Sequence, residues 1–345
     1  MMNSLQRKSV VIWLSAVCLL IFSMVIVGGV TRLTHSGLSI VEWKPLMGVI
    51  PPTNDKAWNE IFDKYKQYPE YKITNRHMDL SDFKFIFYWE YFHRLLGRLI
   101  GVVYFFPFLF FYLRKYFDRK LSLKLFVGFL LGGLQGLVGW FMVKSGLVND
   151  PSVSHYRLAL HLAIAFGIAA YLFWNILDIL FEDEKSTRHH ARFKQSLLLT
   201  AGICLQIIYG AFTAGKKAGF GYNTFPKMDD SWIPDAVFSI QPAWLNFFET
   251  NAAIQFTHRT IAWCLIIAIP LFLWKIRNEL NALQKTAMKL LFAGLCVQFT
   301  LGVLTILFIG SYEVVLPAIH QAGAFILLSL VIFFNHSLYK NQNFS

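Results

Sequence analysis

Four histidines, His93, His161, His258 and His320, each stand inside a long apolar stretch, where an imidazole without a partner is costly and therefore a candidate for function. Around two of them the chain nearly repeats itself, as Glu90-Tyr-Phe-His93-Arg94 in the first half and Gln255-Phe-Thr-His258-Arg259 in the second. A single membrane histidine can serve as an interhelical hydrogen-bonder. A duplicated His-Arg pair points instead to duplicated haem sites, in which two neutral imidazoles hold one iron from opposite sides.

The cations and one carboxylate extend that reading. Of the 32 Lys and Arg, only Arg94, Arg98 and Arg259 fall within the apolar stretches away from their edges, one and five residues after His93 and one after His258. Guanidinium forks bind carboxylates bidentately and keep their charge when buried, which suits haem propionates; pairing with a helix neighbour or snorkelling to the surface is the alternative. Glu90 stands three residues before His93, on the same helix face, where the second half has Gln255. A carboxylate there could be a general base for water or could stabilise developing positive charge; its other role is an i,i+4 ion pair with Arg94.

The elements that must position these groups are membrane helices. With 56% hydrophobic and 15% charged residues, and a mean hydropathy of +0.48, the chain is an all-α integral membrane protein. Runs long enough to cross about 30 Å of hydrocarbon lie near 10–30, 88–112, 123–143, 155–180, 195–214, 251–274, 287–310 and 314–338, giving eight spans. The first has no small-x-small cleavage site after Gly28-Gly29-Val30-Thr31 and is kept as a helix. The short connections 113–124, 181–194 and 275–289 hold five, four and four Lys/Arg, against two in 144–157 and none in 310–313. The positive-inside rule then puts both termini in the cytoplasm and the long loops 31–89 and 215–250 outside. The net charge of +12 is thus a topology signal and not a nucleic-acid footprint.

An internal repeat organises the spans. Gly28-Gly-Val-Thr31 followed by Gly37 matches Gly210-Ala-Phe-Thr213 followed by Gly219, and Gln135-x-x-x-Gly139 matches Gln298-x-x-x-Gly302. Residues 1–185 and 186–345 therefore read as two pseudo-symmetric four-helix bundles in a parallel repeat. The four histidines fall on even-numbered spans, roughly 6 to 12 Å below the outer surface at 1.5 Å per residue, so His93 can pair with His161 and His258 with His320. The other histidines, His35, His77, His155, His189, His190 and His336, lie in loops or at span edges, with His189-His190 beside Arg188 and Arg192 a cytoplasmic charge cluster. Cys18, Cys204, Cys264 and Cys296 all fall inside spans and read as small buried hydrophobes, with no loop pair for a disulfide and no Cys-x-x-Cys-His.

Taken in order, Gly29-Val-Thr-Arg-Leu-Thr-His-Ser-Gly-Leu-Ser39, Glu42-Trp-Lys-Pro, Gly48-Val-Ile-Pro-Pro, Glu90-Tyr-Phe-His-Arg-Leu-Leu-Gly-Arg98, Gly139-Trp-Phe-Met-Val-Lys-Ser-Gly146, Tyr222-Asn-Thr-Phe-Pro-Lys-Met228, Gln255-Phe-Thr-His-Arg259 and His320-Gln321 resemble the haem A synthase family over nearly the whole chain. The lack of loop cysteines is similar to the mitochondrial and alphaproteobacterial branch. The resemblance implies oxidation of the C8 methyl of haem O to the formyl of haem A, for cytochrome c oxidase, with oxygen from water. It implies substrate haem O on His93 and His161 beside catalytic Glu90 in the N-terminal half, and a resident haem b on His258 and His320 in the C-terminal half. Arg94, Arg98 and Arg259 would hold propionates. Haem O synthase, an electron acceptor and membrane lipid are the implied partners, a homo-oligomer is compatible, and the location is a bacterial inner membrane, with the mitochondrial one as the alternative.

Two rival readings share parts of this pattern. A b-type cytochrome that only moves electrons would need the same four ligands but leaves Glu90 and the first long loop without a role. A repeat-built transporter would share the parallel architecture but not histidines paired at one depth.

Overall fold

The computed structural model describes residues 2–41, 50–146, 152–181 and 190–339. The segments Glu42-Trp-Lys-Pro, Gly48-Val49 and Arg188-His189 lie outside them. Among the described residues there is no strand, and eight helices are long and apolar enough to cross a membrane. In chain order the helices are α1 (Ser4–Leu33), α2 (Asp55–Tyr65), α3 (Leu80–Leu113), α4 (Arg119–Gly146), α5 (His155–Leu180), α6 (His190–Gly215), α7 (Asn246–Glu249), α8 (Asn251–Ile276), α9 (Ala282–Leu307) and α10 (Val315–Tyr339). Short α2 and α7 belong to the two long connections; the other eight are the spans.

Helix starts follow local capping. Asn3 with Gln6, Asp79 with Asp82 and Asn281 with Gln284 form reciprocal capping boxes at α1, α3 and α9, and the Thr250 side chain caps α8. The box at Asp79 starts α3 at Leu80, eight residues before the span expected from hydropathy at 88. Those first turns are amphipathic. They set Phe83, Ile86, Phe87 and Tyr91 against Trp58, Phe62 and Tyr65 of α2, so this part of the helix packs on its own connection and not on lipid.

The most extensive helix contacts are α9 with α10, α1 with α3, α6 with α8 and α5 with α6, followed by α4 with α5. Contacts of α1 with α5 and of α6 with α10 close each set of four into a ring, while α3 touches α4, and α8 touches α9, only lightly. The two sets meet through α5–α6, α1–α10 and α5–α10. One apolar core runs through that meeting zone, including Leu14, Phe166, Leu172, Ile203, Ile269, Leu291 and Phe334. Large apolar side chains such as Phe106, Leu113, Leu137, Leu198 and Trp274 point outward, as a hydrocarbon surround requires. Cys204 and Cys264 share that outward face, contrary to their reading as buried, because an apolar span gives no hint of which side faces lipid.

The two helices that open the sets end alike. Two positions beyond the end of α1 and of α6 stands a residue in the left-handed region, His35 at φ 54° and Lys217 at φ 52°. Just before it, Thr31 and Thr213 each return a hydroxyl to the carbonyl four residues back, at 2.8 Å in both. At the opposite membrane face, charged pairs tie the helices together. Asp178 of α5 accepts from Lys124 of α4 at 2.9 Å and lies 3.1 Å from buried His336 of α10, and Arg192 bonds Glu279.

Candidate functional site

Each of the four histidines leans on a glycine of the preceding membrane helix. A Cβ placed on Gly28 of α1 would stand 2.7 Å from Cε1 of His93, and one on Gly139 of α4 2.9 Å from Cε1 of His161. The same holds for Gly210 of α6 against His258, at 3.2 Å, and Gly302 of α9 against His320, at 3.0 Å. A side chain at any of the four would crowd an imidazole edge, so the glycines fix where the rings lie. The sequence placed these glycines in a repeat without showing that they face the histidines.

One turn before three of those glycines stands a glutamine. Gln135 Nε2 lies 3.2 Å from His161 Nδ1 and donates to the His161 carbonyl at 3.0 Å. Gln298 does the same for His320, at 3.1 and 3.0 Å, and Gln206 Nε2 lies 3.4 Å from His258 Nε2. Gln206 escaped the sequence reading, although Gln206-x-x-x-Gly210 carries the same spacing as the two pairs that were recognised.

Two of the histidine rings face each other. The rings of His258 and His320 are 6.5 Å apart between centroids and perpendicular, at 89°. Two metal–nitrogen bonds of about 2 Å, with roughly 1 Å more from each nitrogen to its ring centre, separate coaxial imidazoles by about 6 Å. This pair therefore fits a single iron between its rings. The Nδ1 atoms of His93 and His258 are buried without a hydrogen-bond partner. Among the described residues there is no cluster of three or more His, Cys, Asp or Glu that could hold a metal ion.

Glu90 is 2% exposed and fully engaged. Its Oε2 accepts from the Ser39 hydroxyl and the Ile40 amide, both at 2.7 Å, and its Oε1 from Arg94 Nε and Nη2 at 3.0 and 2.6 Å. The ion pair with Arg94 is thus present, and Arg94 Nη2 goes on to the Ile40 carbonyl at 2.8 Å. In the second half, Gln255 donates to the Tyr222 carbonyl at 2.6 Å, and Arg259 donates to the carbonyls of Tyr222, Thr224 and Lys227 at 2.8, 2.8 and 3.0 Å. Each half therefore uses the residues three before and one after its histidine to clamp the connection that leaves the previous membrane helix. In this structure Arg94 and Arg259 turn to loop backbone, while Arg98 stands one turn further along α3. The clamp explains why the motifs around Ser39 and Tyr222–Met228 accompany the His-Arg pairs: they supply its partners.

Residues 11–332 match the sequence profile of the COX15-CtaA family, described as cytochrome oxidase assembly protein. The chain belongs to that family. A protein of Nitrosospira multiformis named "Heme A synthase" is 48% identical over 338 residues, 96% of this chain and 94% of its own length. "Heme A synthase COX15" of Arabidopsis thaliana is 44% identical, over 96% of this chain and 75% of its own. The "Heme A synthase" of Paramagnetospirillum magneticum is 43% identical, over 96% and 94%. As the family's name and these near-complete matches lead one to expect, the chain is a multi-span membrane protein.

Proposed function

We propose that this member of the COX15-CtaA family is a haem A synthase, oxidising the C8 methyl of haem O to the formyl of haem A. The observation that carries the reading is the pair of histidine pairs, each ring seated on a glycine, with Glu90 beside the first pair alone. Conversion of a methyl to a formyl group with water as oxygen source releases four electrons and four protons to an acceptor. His93 and His161 hold the substrate haem, and Arg98 is placed one turn from the Arg94 clamp to meet a propionate. A haem b on His258 and His320 supplies a one-electron carrier.

Glu90 acts where charge develops. Its carboxylate opposes positive charge on the methyl carbon as electrons leave, and it accepts a proton from water when one of its partners yields. Ser39 is the partner able to do so, because its hydroxyl also reaches the Ser36 carbonyl at 3.0 Å. Arg94 pins the carboxylate in place. In this reading residues 1–185 and 186–345 are two bundles related by the repeat, the first for substrate and the second for electrons. The chain lies in a bacterial inner membrane with both termini in the cytoplasm, takes haem O from a haem O synthase, and is open to self-association.

Chromatography of the haems in purified protein, made in cells that synthesise haem O, tests the reading. The expected result is haem B together with haem O and A in the parent, and haem B without haem A when His93 is replaced by Ala. Haem B alone in both would make the chain an electron-transfer cytochrome, and no haem at all would revive a transporter.

A further inference from the structure

The repeat that relates the two halves also shows where they part, at the membrane face away from the histidines. Counted from the histidine of one helix and the ring-supporting glycine of the next, Phe105 of α3 corresponds to Pro270 of α8, and Phe126 and Phe129 of α4 to Lys289 and Phe292 of α9. By the same count Tyr112 corresponds to Arg277, just beyond the end of α8. In the first half the Phe105 and Phe129 rings meet across the helix pair, 5.4 Å apart between centroids. In the second half a proline replaces one of those rings. A groove of about 320 Å³ lies there, lined by Pro270, Leu273, Trp274 and Arg277 on one side and by Lys289 and Phe292 on the other.

Pro270 stands about 18 Å along α8 from His258, at 1.5 Å per residue, so the groove is separate from the histidine sites. Its walls are otherwise apolar, and Trp274, 65% exposed, faces the hydrocarbon surround. Two cations interrupt them. Arg277 donates to the Trp274 carbonyl and lies over the Trp274 ring, 4.6 Å from its centroid, and Lys289 shares a face of α9 with Phe292. Neither α8 nor α9 contains an Asp or Glu, and Glu279, the acid nearest Arg277 in the sequence, bonds Arg192. The groove thus joins two positive charges to an apolar slot whose walls carry no carboxylate. A neutral lipid would occupy the slot and leave the cations unused.

We infer that the α8–α9 groove binds an anionic phospholipid, with an acyl chain along Pro270, Leu273 and Phe292 and the phosphate at Arg277 and Lys289. Basic pockets between membrane helices hold such headgroups, and the methylene stem of Lys289 lets its ammonium reach outward while its base stays among apolar side chains. Because α8 and α9 touch only lightly, a chain lying between them completes the contact between the helix that carries His258 and the helix that backs His320.

Native mass spectrometry of the purified protein in detergent, titrated with phosphatidylglycerol or with phosphatidylcholine of the same acyl chains, tests the site. The first lipid bound by the parent should be phosphatidylglycerol, preferred several-fold. Arg277→Gln/Lys289→Gln should weaken that binding by on the order of tenfold and leave phosphatidylcholine unaffected, with haem content at the parental level as the measure of folding. Pro270→Phe restores the ring of the first half and should lose the phosphatidylglycerol although both cations remain. Equal uptake of the two lipids by the parent overturns the inference, as does undiminished phosphatidylglycerol binding in either variant; the double variant decides if Pro270→Phe does not fold. Displacement of the lipid by millimolar inorganic phosphate would mark a site for a free anion only, and would overturn it too. The readout does not depend on which haems the chain holds, so it stands whatever the chain synthesises.

Discussion

At the scale of single residues, the Glu90 carboxylate has two roles that one substitution would confuse. It neutralises Arg94, whose side chain is 15% exposed, and under the proposed function it is the acidic group that assists the chemistry. Removing one partner of a buried ion pair leaves the other uncompensated, at a cost of roughly 3 to 5 kcal/mol. Glu90→Gln alone could therefore lose activity by loosening the loop clamp. The double variant Glu90→Gln/Arg94→Met takes away the stranded charge as well. We expect haem A per unit protein to fall by about 100-fold or more in both variants, with haem B retained. Recovery of haem A in the double variant would reduce Glu90 to a helix partner of Arg94. The glycines allow a graded test on the same assay. A methyl at Gly28 would meet His93 Cε1 at 2.7 Å, closer than side chains approach, whereas at Gly210 it would meet His258 at 3.2 Å. Gly28→Ala should cut first-site haem several-fold while Gly210→Ala leaves haem B nearly intact, and equal effects would show that the glycines do not set ring position.

At the scale of elements, the connection between α1 and α3 is a small folded unit with its own buried acid. Glu70 is 6% exposed, accepts from the Tyr65 hydroxyl at 3.0 Å, and Tyr65 in turn accepts from Asn75 at 2.8 Å. Burial raises the Glu70 carboxyl from the ordinary 4.5 to about 7; the Tyr65 bond opposes this and the charge of Glu90 adds to it. A carboxyl whose folded value is raised binds its proton more tightly in the folded state, so its penalty is absent below 4.5, grows as pH rises to about 7, and is constant above. Glu70→Gln keeps an acceptor for Tyr65 without the charge. It should stabilise this unit by up to roughly 3 kcal/mol at pH 8, with the gain vanishing toward pH 4.5; protease resistance of the connection measured across that range would show it, and a gain independent of pH would exclude titration of Glu70 as the cause. The same element shows what a sequence can reveal. Hydropathy located all eight spans because lipid demands a continuous apolar run, and the four histidines were legible because they interrupt it. The start of α3 was not, because Phe83, Ile86 and Phe87 pack against α2, a partner that hydropathy does not see. Nor was the clamp: Arg94 and Arg259 bond backbone carbonyls, which every residue has and no residue type announces.

At the scale of the whole molecule, two rings of four helices meet through a common core, and the histidine pairs lie one in each ring. Links between the rings are polar as well as apolar. Gln321, the residue after His320, donates to the Val25 carbonyl of α1 at 2.7 Å, close to the Gly28 that backs His93, and Arg32 at the end of α1 reaches the Ala214 carbonyl at the end of α6. Under the proposed function, electrons leaving the first histidine pair would pass to the second, while each imidazole is backed by a glycine of its own set of helices. Support that is local predicts occupancy that is separable. Replacing His258 or His320 with Met should exchange one axial ligand and disturb the low-spin bis-histidine spectrum of haem B, leaving haem O bound at the first site but little converted. Replacing His93 or His161 with Ala should abolish haem A and spare most of the haem B. Haem-resolved chromatography beside optical spectra of the four variants distinguishes these patterns, and parallel loss of both pigments from protein that is still folded would mean that the shared core, not the individual rings, governs both sites.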